Sequence, residues 1–165
     1  MNEDNEDCDI IINITKHFTG INFSPDRIKK LARFVCKHFG KSNHRACSYE
    51  INIVIVDDAE IRKLNENFRN SDSVTDCLSF DLSENDNVSA KSLEIIVNAE
   101  KAITQADELG HSPESELALY IAHGLLHQFG FNDENEIEAA KMHEAEDDIL
   151  QQLGFGLVYN KNRKR

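Results

Sequence analysis

The chain has 165 residues and a mass of 18.8 kDa, room for one domain with its own core and not for two. Its 18 Lys+Arg against 30 Asp+Glu leave a formal charge of −12, which excludes a general nucleic-acid coat and allows only a local basic pocket. An acidic start argues against a signal or transit peptide, no apolar run reaches a membrane span, and Cys8, Cys36, Cys47 and Cys77 form no C-x-x-C pair, so a cytoplasmic protein with reduced thiols is expected.

Asp9–Ile14 is a β-branched run that predicts a first strand. Ser24-Pro25 sets an N-cap with proline at the first helical position. Ile28, Leu31, Ala32, Val35 and Phe39 follow at helical spacing, and Gly40 ends the segment. Tyr49, Ile51, Ile53 and Ile55 alternate with Glu50 and Asn52 before the run turns fully apolar, predicting a strand whose second half is buried on both faces. Asp57-Asp58 caps a short helix carrying Ile61, Leu64 and Phe68. Thr75–Leu82 predicts a third strand with one polar face, and a polar, mobile loop over 83–92 leads to a fourth strand, Leu93–Asn98. From Ala99 the chain is helical. Ser112-Pro113 opens a helix to Phe129, stopped by Gly130, and a last helix runs from about Glu134 to Leu153. The order β-α-β-α-β-β-α-α-α predicts a single α/β domain, a four-stranded mixed sheet covered by helices. Residues 1–8 and the basic tail 159–165 read as frayed ends.

The helix from Ser112 is apolar nearly all round, which marks it as a core helix. His123 and His127 lie four apart and project from one face. Such a pair arises by chance about 0.3 times in a chain with this many histidines. Gly130 and Asp133 complete H-x-x-x-H-x-x-G-x-x-D, whose chance rate is roughly 0.003. The helix supplies two imidazoles, the glycine allows a sharp reversal, and the returning chain offers a carboxylate. Two histidines and one carboxylate suit zinc with a fourth position open. Two other readings stand beside this one. Asp133 with Glu136 also forms a D-x-x-E capping signal for the last helix, and His143 is an alternative third ligand. Zinc peptidases carry a glutamate base directly after the first histidine. Here that position is Gly124, so peptide hydrolysis lacks its usual base.

His123-Gly124-Leu125-Leu126-His127-Gln128-Phe129-Gly130 resembles the H-G-x-L-H-x-x-G motif of the YbeY family of bacterial metallo-endoribonucleases. Leu64-Asn65-Glu66-Asn67-Phe68-Arg69 and Thr75-Asp76-Cys77-Leu78-Ser79-Phe80 resemble that family's L-N-x-x-F-R and T-D-V-L-S-F signatures. The pairs Gln105-Ala106 and Glu116-Leu117 fall where the family has the same pairs. The resemblance covers roughly Glu50 to Leu153. It implies an α/β fold with a four-stranded sheet, one zinc per chain held by three side chains, here His123, His127 and, in place of the family's usual histidine, Asp133, and cleavage of single-stranded RNA. It also implies work on the ribosome, in maturing the 3′ end of small-subunit rRNA and in quality control, with neither DNA nor membrane as partner. Arg69 matches the family's functional arginine. Two positions depart from the pattern: Asn132-Asp133 replaces the family's usual Asp-His, and Leu93-Glu94 replaces a Gly-Asp pair.

The expected reaction is metal-assisted phosphodiester hydrolysis, with Arg69 pairing bidentately with the phosphate and the strand Leu78–Leu82 walling the cleft. The alternatives are a metallopeptidase-like hydrolase and a non-catalytic, zinc-stabilised ribosome-binding protein. With so acidic a chain, contact with phosphate is expected only around Arg69 and the 161–165 tail.

Overall fold

Local spacing and capping decide where each element starts. In a computed structural model that describes residues 8–40, 48–84, 89–156 and 158, the elements follow the predicted order. They are β1 (Asp9–Lys16), α1 (Pro25–Phe39), β2 (Ser48–Val56), α2 (Asp58–Arg69), β3 (Cys77–Asp81), β4 (Ala90–Asn98), α3 (Ala99–Leu109), α4 (Pro113–Gln128) and α5 (Glu136–Gln152). The expectations for residues 1–7, 85–88 and 159–165 lie outside the described residues, whereas Cys8 packs against the core. Three predicted caps form: Ser24, Asp57 and Ser112 each accept a hydrogen bond from the backbone N–H three residues on.

The four strands form one sheet in the order β1-β2-β4-β3. β1, β2 and β4 are parallel, with Ile12 opposite Ile51 and Ile53 opposite Ile95, and β3 closes the edge antiparallel to β4. Parallel strands need cover on both faces. A large cluster with α1, α3, α4 and α5 covers one face, and α2 covers the other through Val56, Ile61, Leu78 and Ile96. Among the described residues no helix is long and apolar enough to cross a membrane.

Three differences from the sequence reading bear on the site, the first two for non-local reasons and the third for a local one. β4 begins at Ala90 rather than Leu93, because Ala90–Ser92 pair with Ser48–Glu50 across the sheet. The polar face of β3 is only partly turned to water: Asp81 is exposed, but Ser79 Oγ accepts a hydrogen bond from Gln128 Nε2 of α4 at 3.0 Å. α5 starts at Glu136 because Asn135, not Asp133, is its N-cap: the Asn135 side chain accepts from the N–H groups of Ile137 and Glu138. The capping role weighed for Asp133 is therefore taken by its neighbour two residues on.

α4 is buried on nearly every side, packed against β3, β4, α1, α3 and α5. Gly124 permits its close approach to the sheet. A Cβ there would lie 2.6 Å from Cys77 Sγ and 3.0 Å from Ile95 Cγ2. A glutamate base of the peptidase kind has no room at this position. Gly124→Ala should lower stability by about 1–2 kcal/mol, since an overpacking cost of ~1–3 kcal/mol exceeds the ~1 kcal/mol of helix propensity gained. In a Cys77→Ala background the same change should cost less, because only the milder approach to Ile95 Cγ2 remains. Denaturant midpoints of the four proteins test this, and equal losses in both backgrounds would contradict it.

Candidate metal centre

Glu116, Tyr120, His123 and His127 follow one another at helical spacing and form a polar stripe along an otherwise apolar α4. Their neighbours set the direction of the two imidazoles. His127 Nδ1 lies 3.1 Å from the Phe131 carbonyl oxygen, so that nitrogen carries the proton and donates it. His123 Nδ1 lies 2.6 Å from Glu146 Oε1 and likewise donates. In the neutral rings both Nε2 atoms are then left as lone pairs, and they face each other at 3.0 Å. Asp133 Oδ2 completes the group at 3.6 Å from His123 Nε2 and 3.7 Å from His127 Nε2.

Three acceptor atoms thus converge with no donor between them, an arrangement that a cation satisfies. The donor chemistry fits zinc well. Ligands at ~2.0–2.1 Å around a tetrahedral ion sit ~3.3–3.4 Å apart, and the three separations here bracket that value. Electrostatics point the same way. Burial disfavours a charged His123 ring, yet hydrogen bonding to Glu146 and the charges of Glu146, Asp76 and Asp133 outweigh it and raise its pKa.

Asp133 reaches this position through local structure. Gly130 takes a positive φ of 92°, which lets the chain reverse at the end of α4. Phe131 N–H then bonds back to the Leu126 carbonyl, and Asn132 Oδ1 accepts from the N–H groups of Asp133 and Glu134. The turn that presents Asp133 also supplies the carbonyl that orients His127. His143 is not part of the converging group; its Nδ1 lies 3.0 Å from Glu146 Oε2.

The centre opens into a cleft of about 640 Å³ whose lining includes Arg69, Asp76, Ser79, Asn132 and His143. Arg69 is exposed at the C-terminal end of α2 and makes no ion pair among the described residues. Buried Asn65 fixes the loop beyond it by donating to Ser73, and Asn70 ends the helix in the left-handed region at φ 51°. Cys77 lines the cleft too, but burial raises its thiol pKa far above the ordinary value, so it stays a neutral wall.

Two residues of the site escape a reading of the sequence. Glu146 is 1% exposed, and its carboxylate joins His123 to His143, the carboxylate–histidine arrangement that fixes tautomer and ring orientation at metal sites. The available signal is its place among Met142, Ile149 and Leu150 on the buried face of α5, where an acid is costly without partners. Asn98 is fully buried and caps α3. Its amide also donates to Asp58 on α2 and to the Thr75 carbonyl, tying Asp76 and α2 to one wall of the cleft.

Known proteins resemble this chain in sequence and in fold. The family model described as endoribonuclease YbeY matches residues 13–154. A protein named endoribonuclease YbeY from Macrococcus caseolyticus is 40% identical over 112 residues, covering 64% of this chain and 73% of its own. Its namesake from Caldanaerobacter subterraneus is 39% identical over 118 residues, covering 64% and 75%. The solution structure of TM1509 from Thermotoga maritima shares the fold, with a TM-score of 0.53 at 23% identity over 94% of this chain and 97% of that one. With its match running from β1 to the end of α5 and taking in both histidines, the chain belongs to the YbeY family.

Proposed function

We propose that the whole chain is one YbeY-like domain acting as a zinc-dependent endoribonuclease that hydrolyses single-stranded RNA. His123, His127 and Asp133 hold the ion, and Arg69 meets the phosphate. The substrate is the 3′ end of small-subunit rRNA, and the enzyme works in the cytoplasm on the ribosome, in maturation and quality control. The observation that carries this reading is the convergence of three cation-binding atoms in an open cleft also lined by Arg69, which makes no ion pair among the described residues. Partial exposure of all three favours catalysis over a structural pin, since structural zinc is normally closed by four ligands.

A divalent ion held there supplies Lewis-acid charge to a phosphoryl oxygen and acidifies a water. The chain's own contribution is positional. Glu146 and the Phe131 carbonyl hold the two rings, and the Asn132 turn holds Asp133. Arg69 offers a planar pair of donors to the phosphate and to the charge that grows on it in the transition state. Measuring cleavage of single-stranded against duplex RNA, with and without chelator, tests the proposal. Single-strand cleavage that stops on chelation and returns with zinc is expected, and cleavage indifferent to chelator would refute it.

The role given to Asp133 has its own test. Since Asn135 caps α5, Asp133→Ser and Asp133→Ala should each leave the metal-free melting temperature almost unchanged and greatly weaken zinc binding. Asp133→His, which restores a third nitrogen donor, should retain zinc. Full zinc in the alanine variant would remove Asp133 from the ligand set.

A further inference from the structure

Behind the metal cleft, α3, α4 and α5 border a second cavity of about 320 Å³. That volume lies at the lower end of the ~300–1,000 Å³ range of small-ligand pockets. Asp76, His123 and His143 line both spaces, so the two are neighbours across those side chains. The polar stripe of α4 continues into the cavity through Tyr120 and Glu116, while Leu109 and Leu119 supply apolar wall. Tyr120 is 4% exposed, and its hydroxyl lies beside the Glu116 carboxylate but makes no well-formed hydrogen bond among the described residues. Burial, and then the nearby Glu116 carboxylate, raise its pKa, so it remains a neutral hydroxyl. A buried hydroxyl without a well-formed hydrogen bond is uncommon and calls for a group that completes it.

Each space is lined by three acids and one cation: Asp76, Asp133 and Glu134 with Arg69 around the cleft, and Asp76, Glu116 and Glu146 with Lys101 around the cavity. Among the described residues the group that could hold a metal ion lies at the cleft, so there a bound cation would offset the acids, whereas around the cavity only Lys101 does. A second phosphate is therefore disfavoured there. A flat, neutral ligand with a hydrogen-bonding edge is not.

We propose that this cavity receives the base of one nucleotide flanking the scissile phosphate, turned out of the strand, with the Tyr120 hydroxyl bonding to its polar edge. This rests on the RNA cleavage proposed for the metal cleft. It also provides a physical reason for single-strand preference, because a paired base gives up pairing and stacking to leave a duplex. Gln105 and Glu116, conspicuous in the sequence but unused by the metal centre, then border the base.

The test uses the full-length protein and Tyr120→Phe with a short unstructured RNA. An abasic ribonucleotide replaces each position of that RNA in turn. Base loss should lower kcat/KM by about tenfold or more at one fixed offset from the cleaved bond. Tyr120→Phe should cleave intact RNA roughly threefold to tenfold more slowly and keep or raise its melting temperature. It should match wild type on RNA abasic at that offset. Fluorescence anisotropy with metal-stripped protein should show the same pattern in affinity. Uniform rates across the abasic series, or an equal Tyr120→Phe loss on intact and abasic RNA, overturn the base subsite while leaving cleavage standing. If wild type cleaves no single-stranded RNA, the function itself fails, and the affinity series still decides whether the cavity holds a base.

Discussion

Alanine at His123 or His127 is expected to take bound zinc from about one equivalent to near none and to abolish RNA cleavage with it. Each ring supplies one of only three converging atoms, and no further histidine, cysteine or acidic side chain joins them among the described residues. Elemental analysis of the purified variants reads the result, and full metal in either would sink the centre. Glu146→Gln should be milder, weakening zinc by about 10–100-fold, because the amide still accepts from His123 Nδ1 but carries no charge. Metal affinity should also depend on pH in a defined direction. The folded-state pKa of His123 is raised above its ordinary 6.5, so protonation stabilises the metal-free fold below that pH, and the contribution fades as pH rises through the raised value. Metal needs the ring unprotonated, so zinc affinity rises across the same interval. Chelator competition at a series of pH values measures it, and a flat profile would contradict the arrangement.

How much of this was legible beforehand follows from the range of the forces involved. α4 and its two histidines were readable because a helix places residues four apart on one face whatever surrounds it. The caps at Ser24, Asp57 and Ser112 are equally local. Strand order was not readable, since β2 pairs with β4 rather than β3 through partners some forty residues apart. Glu146 is the instructive omission. In the sequence it is one acid among many on α5, and only the packing of α5 against α4 turns it inward to His123. Asn98 looks like an ordinary helix cap, yet its amide spans α2 and the entry to β3. Where a residue's role lies in joining distant segments, its neighbours in sequence carry little trace of it.

Arg69→Ala should preserve fold and zinc while lowering kcat/KM by about 100–1,000-fold, the usual cost of losing one preorganised donor to transition-state charge. The side chain is exposed and makes no ion pair among the described residues, so its removal should alter stability by less than about 0.5 kcal/mol. Arg69→Lys should recover little, because an ammonium cannot present two parallel N–H groups to one phosphate. Arg62 provides the control. It lies on the same helix but is engaged with Asp72 through Nε at 2.6 Å and a second nitrogen at 3.0 Å. Arg62→Ala removes the same formal charge from α2 and breaks only a surface ion pair, so cleavage should stay near wild type. The comparison separates placement from charge. Equal losses in the two variants would mean that α2 attracts RNA through net charge alone, and the phosphate pairing assigned to Arg69 would have to be withdrawn.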